Sequence, residues 1–148
     1  MRHWWITRDG DERCLDMYQR HYSQRDYADG REVKLFVGPG DKLVLSAFDA
    51  SAVFVWRRFI DDSGEQGVNC AVFRNESATL SSILICQACD VAWSEWPNSR
   101  LYTYVNPLEV RSKNPGFCFL MAGWRRCSHR TKSGLMIFEK LPPPTQET

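Results

Sequence analysis

The chain has 148 residues, of which 43% are hydrophobic and 25% are charged, and its formal net charge at pH 7 is +1. This length suits one domain with one core, and an aromatic share of 13% argues against disorder outside the ends. The chain lacks the basic excess of a strong DNA binder, so any contact with DNA requires a local cationic cluster.

The six cysteines lie inside apolar runs more often than at turns, which is typical of reduced, packed thiols in a cytosolic protein. Cys86 and Cys89 have zinc-like spacing, but no Cys or His pair follows at a matching distance. We therefore interpret both as core thiols and expect no metal. No leader and no membrane-spanning apolar run is visible, so we expect no membrane partner. No Gly-x-Ser-x-Gly motif is present, which excludes a conventional nucleophile-elbow hydrolase.

The first half of the chain is rich in strand patterns. Residues 3–7 predict an edge strand, acidic residues then lead into a helix, and residues 33–37 restart extended structure. Residues 42–48 and 52–60 flank a tight turn and predict an antiparallel hairpin. The apolar run over 67–73 predicts a central strand buried on both faces.

A long helix is predicted from Leu80 to Trp96. Apolar residues cover most of its circumference, which indicates a helix sandwiched between other elements. A strand over 101–105 follows and completes a β-α-β unit with parallel strand pairing.

The C-terminal part predicts a second, short helix. Asn114 suits the N-cap, Pro115 suits the first turn, and Gly123 suits the left-handed residue that closes a helix. We expect a polar turn over 127–134 and a last strand over 135–139. The expected organisation is a single domain over 1–140 and a flexible tail over 141–148.

Three segments carry a family resemblance: YVNP (104–107), SKNPGFCFLMAGWRR (112–126) and TKSGL (131–135). Their strand, Asn-bearing loop and short helix ending in Gly-aromatic resemble the second half of the GCN5-related N-acetyltransferase (GNAT) fold. The amino-acid sequence of these segments resembles, more narrowly, that of the Mom group of phage DNA-modification proteins and their phage and bacterial relatives. The resemblance extends roughly from residue 4 to residue 139.

The resemblance implies an α+β (α/β) fold with a central mixed, mostly antiparallel sheet, one splayed parallel pair and flanking helices. It implies an acyl-CoA-dependent N-acyltransferase that uses acetyl-CoA or another acyl-CoA to modify an exocyclic amine. Adenine in DNA is the leading acceptor, as protection against restriction in the cytoplasm of a bacterial host.

The cofactor is expected at the junction between the strand ending at Phe73 and the long helix, because a helix N-terminus suits a pyrophosphate. Members of the family have the motif Gln/Arg-x-x-Gly-x-Gly/Ala at this junction, whereas this chain has RNESATLSS (74–82), which contains no glycine. Side chains therefore occupy the place where a phosphate would approach the backbone. Arg74 can replace the leading basic residue. The hydroxyls of Ser77, Ser81 and Ser82 can replace part of the amide cradle. Alternatively, Ser77 or Thr79 simply caps a buried helix.

The thioester is expected in the cleft where the two parallel strands splay. The resemblance implies that Asn114, in the nearby Asn-bearing loop, also binds the cofactor. Tyr104 can transfer a proton there, and Asn106 can orient an acyl oxygen or a base edge. Alternatively, Tyr104 packs in the core and Asn106 starts an Asx turn. His21, on the inward side of the first helix beside Tyr22, is a general-base candidate or a packing residue. The His-Tyr pair resembles part of the Mom pattern.

A cationic cluster follows the short helix, with no acid over 125–134, and can bind phosphates of DNA or coenzyme A. Alternatively, it is a solvated loop. Trp124 can stack on a base or pack in the core. The cluster comprises Arg125, Arg126, His129, Arg130 and Lys132.

Two other functions remain open from the sequence. One is an N-acetyltransferase that acts on a small-molecule or protein amine. The other is a catalytically inactive binding module that keeps the fold and has lost the cofactor junction.

Overall fold

The computed structural model describes residues 3–8, 11–13, 40–47, 49–58, 64–108 and 116–144, and the structural statements that follow concern these ranges. The strands and helices bounded within them are β1 (Trp4–Thr7), β2 (Asp41–Ala47), β3 (Ala52–Arg58), β4 (Val68–Asn75), α1 (Ser81–Glu95), β5 (Leu101–Val105), α2 (Phe117–Met121), β6 (Arg125–Arg130) and β7 (Met136–Lys140).

The described strands form one seven-stranded mixed sheet in the order β1-β2-β3-β4-β5-β7-β6. The β4–β5 pair is parallel and the neighbouring pairs are antiparallel. The predicted α+β class, edge strand β1, β2–β3 hairpin and parallel β4-α1-β5 unit are confirmed. No helix in the described ranges has the length and apolarity needed to cross a bilayer.

The core lies on both faces of the sheet. Phe54 and Trp56 pack towards α1, while Val53 and Val55 alternate with them, point to the opposite face and are equally closed to solvent. The indole of Trp56 donates a hydrogen bond to the Ala88 carbonyl of α1 at 2.9 Å. Trp4 likewise donates to the Leu84 carbonyl at 2.8 Å. Two tryptophans therefore fix the helix on the sheet while satisfying their own N–H groups.

Two burial predictions are wrong in part. Strand β4 is central, but Asn69 and Phe73 are only half-buried. Helix α1 buries one side, whereas Ile83 and Cys86 are exposed, so the helix is not sandwiched. Apolar residues around most of the circumference of α1 therefore predict more burial than the helix has.

The short helix α2 ends as predicted but starts differently. Its N-cap is Gly116 in the left-handed conformation, so the predicted start at Asn114 and Pro115 is wrong. At its end, Gly123 (φ 88°) donates to the Leu120 carbonyl and Trp124 donates to the Phe119 carbonyl. This is a Schellman motif, closed by the edge-to-face contact of Trp124 with Phe119.

The predicted polar turn over 127–134 is also wrong in its first half, because residues 125–130 form strand β6 at the edge of the sheet. Backbone pairing with β7 supports this strand although its side chains are mostly exposed. The turn itself is confined to residues 131–134, where Gly134 donates to the Thr131 carbonyl.

Candidate functional site

The parallel strands β4 and β5 separate after a short ladder. They pair at three positions, ending with Cys70 opposite Thr103. Beyond this point β4 continues to Asn75 and β5 continues to Val105. The Thr103 hydroxyl donates a hydrogen bond to the Cys70 carbonyl at 3.0 Å, so that the last paired residue of β4 has its carbonyl bonded to a side chain of β5. The β5-facing edge of residues 71–75 is therefore without a strand partner within the described ranges.

A β-bulge explains why the strands separate at this position. Trp56 of β3 lies opposite Cys70 and Val55 lies opposite Val72, which leaves Ala71 as an extra residue in β4. A bulge bends its strand and increases its local twist. Because the bulge follows the last β4–β5 pair directly, it turns the remainder of β4 away from β5.

Asn75 organises the loop between β4 and α1. Its carboxamide oxygen accepts hydrogen bonds from the Ser77 amide at 2.9 Å and from the Ser77 hydroxyl at 2.5 Å. Its amide nitrogen donates to the Thr79 carbonyl at 2.8 Å and to the Ser81 hydroxyl at 3.0 Å. The glycine-free loop is thus held in one shape by a single side chain.

The first turn of α1 carries neither a side-chain cap nor an acidic residue. Leu80 is the N-cap. The alternative that Ser77 or Thr79 caps the helix is therefore wrong. The first-turn amides and the positive end of the helix dipole face a half-buried surface that includes Ser82.

The side chains predicted to bind the cofactor are only partly available. Ser77 and Ser81 are bonded to Asn75, and Arg74 forms an ion pair with Glu76 at 3.3 Å. Ser82 has a half-buried hydroxyl for which the described ranges provide no hydrogen-bond partner. The backbone of the first turn, more than these hydroxyls, is what the structure offers to a phosphate.

Of the residues predicted to act on the acceptor amine, Tyr104 and Asn106 lie within the described ranges. Tyr104 is half-buried, with its ring 5.6 Å from that of Tyr102 in an edge-to-face contact. Asn106 accepts from the Leu108 amide at 3.0 Å, which confirms the Asx-turn alternative. His21, Tyr22 and Asn114 lie outside the described residues.

Trp124 cannot stack on a base. It is only 3% exposed, and its ring is parallel to that of Trp56 at 6.3 Å. The alternative that it packs in the core is confirmed. Its buried indole nitrogen has no hydrogen-bond partner within the described ranges and lies beside the core thiol Cys89.

The cationic cluster is divided between the two faces of β6. Arg125 lies opposite Glu139 of β7 and forms an ion pair with it at 2.5 Å. His129 lies 3.4 Å from Glu65. The absence of acids within 125–134 therefore misled the sequence interpretation, because acids distant in sequence pair with these two residues. Arg126, Arg130 and Lys132 form no ion pair within the described ranges.

A half-buried arginine joins these acids. Arg100 contacts Glu139 at 2.7 Å and Glu65 at 3.0 Å. Burial acts to raise the pKa of Glu139, but hydrogen bonds from Arg100 and Arg125 outweigh it and hold that pKa below its ordinary value. Arg125 thus has an ion-pair partner although its side chain is 69% exposed, and its role in nucleic-acid binding stays a prediction.

An open depression of about 820 Å³ lies at the other end of the parallel pair, lined by Gly67, Ser99 and Arg100 among others. It is remote from the bulge and from the start of α1. Within the described residues, no cluster of His, Cys, Asp and Glu is arranged to hold a metal ion.

Comparison of this chain with protein-family models, with curated proteins and with solved structures finds no match.

Proposed function

We propose that this protein is an acyl-CoA-dependent N-acyltransferase of the GNAT type that modifies an exocyclic amine. The acceptor that we propose is adenine in DNA. One observation carries the proposal. The bulge at Ala71 separates β4 from β5 directly before an uncapped, acid-free helix N-terminus.

The cofactor fits the residues of this junction in part. A coenzyme A diphosphate would be held by the first-turn amides of α1, assisted by the Ser82 hydroxyl. The unpaired edge of residues 71–75 offers backbone hydrogen-bonding groups to an extended chain such as the pantetheine arm. Because Asn75 fixes the loop, these amides are held in place without the flexibility that glycines confer. The bound cofactor supplies an activated acyl group as a thioester.

The chain's own contribution on the acceptor side is to position the amine and to remove its proton. Tyr104 comes from the β5 wall beside the gap and is the described candidate for proton transfer. Asn106 keeps its amide N–H groups as donors towards an acyl oxygen or a base edge. His21 and Tyr22 are proposed to act from the same side, as the resemblance implies.

DNA as the acceptor is supported by the cationic side chains that have no acidic partner among the described residues: Arg126, Arg130 and Lys132. A base within a duplex must leave the stack before its amine can react. The resemblance to the Mom group supports adenine and a role in protection against restriction.

The direct test is to incubate the protein with acetyl-CoA and DNA, digest the DNA to nucleosides and measure their masses. We expect an adenosine-derived nucleoside of increased mass. Acylation of a protein or a small amine with unmodified nucleosides would instead identify the N-acetyltransferase alternative. Failure of acetyl-CoA to raise the melting temperature would identify a binding module without cofactor.

A single substitution tests the cofactor junction separately. Ser82→Glu places a carboxylate in the first turn of α1, where it repels an anion but stabilises the helix by about 0.3–1 kcal/mol. We expect the acetyl-CoA-induced rise in melting temperature to disappear while the melting temperature of the free protein is maintained.

The matched control is Ser94→Glu, which adds the same charge to an exposed position about 18 Å further along α1. It should leave the acetyl-CoA effect intact. Equal responses of the two variants would show that the start of α1 does not bind the diphosphate.

A further inference from the structure

The short helix α2 exposes an apolar stripe to solvent. Phe117, Leu120 and Met121 are 53%, 45% and 62% exposed and are spaced i, i+3 and i+4, so they share one face. The opposite face packs inward through Phe119, whose ring contacts Phe73. A helix that is apolar on both faces is normally buried. An exposed apolar face of this kind marks an interaction site.

The unpaired cations of β6 lie beside this stripe. Arg126 is opposite Phe138 and Arg130 is opposite Met136, so both arginines project from the same face of the sheet as these core residues. Gly116, the N-cap of α2, lies against the Phe138 ring. The start of α2 is therefore next to Arg126 in space. The partners Phe138 and Met136 are two residues apart, which places the two arginines roughly 7 Å apart along the strand.

The charges of β6 are divided by face. On the face of Arg125, Glu139 forms an ion pair with Arg125, and Glu65 lies 3.4 Å from His129. On the face of Arg126, Arg130 has only the Gly134 carbonyl as a partner within the described ranges, at 3.5 Å, and Lys132 follows in the exposed turn. The side of the hairpin that adjoins the apolar stripe therefore carries net positive charge.

We propose that α2 and the adjoining face of β6 form a nucleic-acid interface in which Arg126, Arg130 and Lys132 bind backbone phosphates and Phe117 and Met121 enter the base stack. The proposal rests on the proposed function, since it explains how a stacked base becomes accessible. Phosphates complement the unneutralised cations. Apolar side chains inserted between base steps unstack them. DNA matches both features at once, because its phosphates complement the cations and its stacked bases accept the apolar side chains.

The first test measures binding of short duplex DNA by fluorescence anisotropy over a range of salt concentrations, without acetyl-CoA. The double variant Arg126→Gln, Arg130→Gln should lower the slope of log affinity against log salt by about 2. The control Arg8→Gln, Arg58→Gln removes the same charge from exposed positions elsewhere and should leave the slope unchanged. Equal slopes for the two double variants, or no salt-dependent binding by the unsubstituted protein, would overturn the interface.

The second test concerns the base stack. A fluorescent adenine analogue within the duplex brightens when it unstacks, and the unsubstituted protein should cause that increase. Phe117→Gln with Met121→Gln should lose most of the increase, whereas Leu141→Gln, an apolar residue 51% exposed beyond β7, should retain it. Melting temperatures establish that the variants fold. An increase that survives the α2 double variant would contradict a role of α2 in unstacking.

These outcomes are separable from the transferase proposal. If binding and unstacking depend on these residues but no altered nucleoside forms, the interface stands and the transferase proposal fails. If an altered adenosine forms while Arg126→Gln, Arg130→Gln binds DNA like its control, the transferase proposal stands and the interface is wrong.

Discussion

At the scale of single residues, the structure distinguishes thiols that have similar sequence surroundings. Burial raises the pKa of Cys89 to about 12 and also raises that of Cys70, whereas Cys86 is exposed on the solvent side of α1. The thiolate is the reactive form, and a thiol of pKa 12 is ionised in about one molecule in 10⁴ at pH 8. We expect iodoacetamide to alkylate Cys86 in the native protein well before Cys70 and Cys89, as mapped by peptide mass spectrometry over time.

The same reaction in denaturant provides the control, because the three cysteines should then react at comparable rates. Cys86→Ser should remove the early-labelled peptide. Early labelling of Cys89 in the native state would contradict the burial of this thiol. Sequence interpretation grouped Cys86 and Cys89 as core thiols, and only Cys89 is in the core. Residues three apart on a helix differ by about 60° around its axis, so at the margin of a buried face one can be covered and the other exposed.

At the scale of elements, two glycines with the same conformation differ in their surroundings. Gly116 (φ 80°) starts α2, and a Cβ there would lie 2.4 Å from the Phe138 ring. Gly134 (φ 87°) lies in the β6–β7 turn, with nothing within 4 Å of such a Cβ. Gly134→Ala should cost about 1–2 kcal/mol from the left-handed backbone alone. Gly116→Ala should cost about 1–3 kcal/mol more, because the buried ring must move.

Urea unfolding monitored by tryptophan fluorescence measures both losses in free energy. Gly123→Ala is an intermediate reference, since its Cβ would make an ordinary contact at 3.5 Å with the end of Lys140. Equal losses for Gly116→Ala and Gly134→Ala would show that the Phe138 ring yields without cost, and that the start of α2 is not fixed by this contact.

The elements that were predicted correctly are those whose pattern reflects burial or a specific backbone residue. The β2–β3 hairpin, the β4-α1-β5 unit and the end of α2 at Gly123 belong to this group. Strand β6 was missed because its sequence, RRCSHR, lies at the sheet edge and has mostly exposed side chains, so no apolar alternation marks it. The strand is formed by backbone pairing with β7, and this non-local interaction leaves no trace in the hydrophobic periodicity of the sequence.

In the candidate site, too, features with a local sequence pattern could be predicted, whereas features that depend on distant residues could not. A gap between parallel strands was expected from the resemblance, but the bulge at Ala71 depends on register with β3 and has no local signature. The Asn75 hydrogen bonds could have been found, because Asn-x-Ser favours a local Asx turn. The pairing of Arg125 and His129 with Glu139 and Glu65 could not, because these partners come from segments distant in sequence.

At the scale of the whole molecule, the ion-pair network ties the start of β5 to β6, β7 and the segment before β4. Its centre, Glu139, is only 8% exposed and contacts Arg100 and Arg125. Replacing Glu139 removes the acidic partner of Arg125 and one of the two acidic partners of Arg100. Glu139→Gln should therefore destabilise the protein at pH 7 by about 1.5–3 kcal/mol, the range for hydrogen bonds to charged groups.

The pH dependence of stability tests the same network. The folded-state pKa of Glu139 lies below its ordinary value of 4.5, because the hydrogen bonds from Arg100 and Arg125 outweigh burial. The network's stabilisation is therefore complete above pH 4.5 and is lost as the pH falls through the lowered folded-state pKa. In urea unfolding between pH 3 and pH 7, Glu139→Gln should flatten the acid limb of the stability curve, whereas Glu95→Gln, at an exposed position of α1, should reproduce the unsubstituted curve. An unchanged acid limb in Glu139→Gln would mean that other carboxylates govern acid unfolding and that the network does not join these strands energetically.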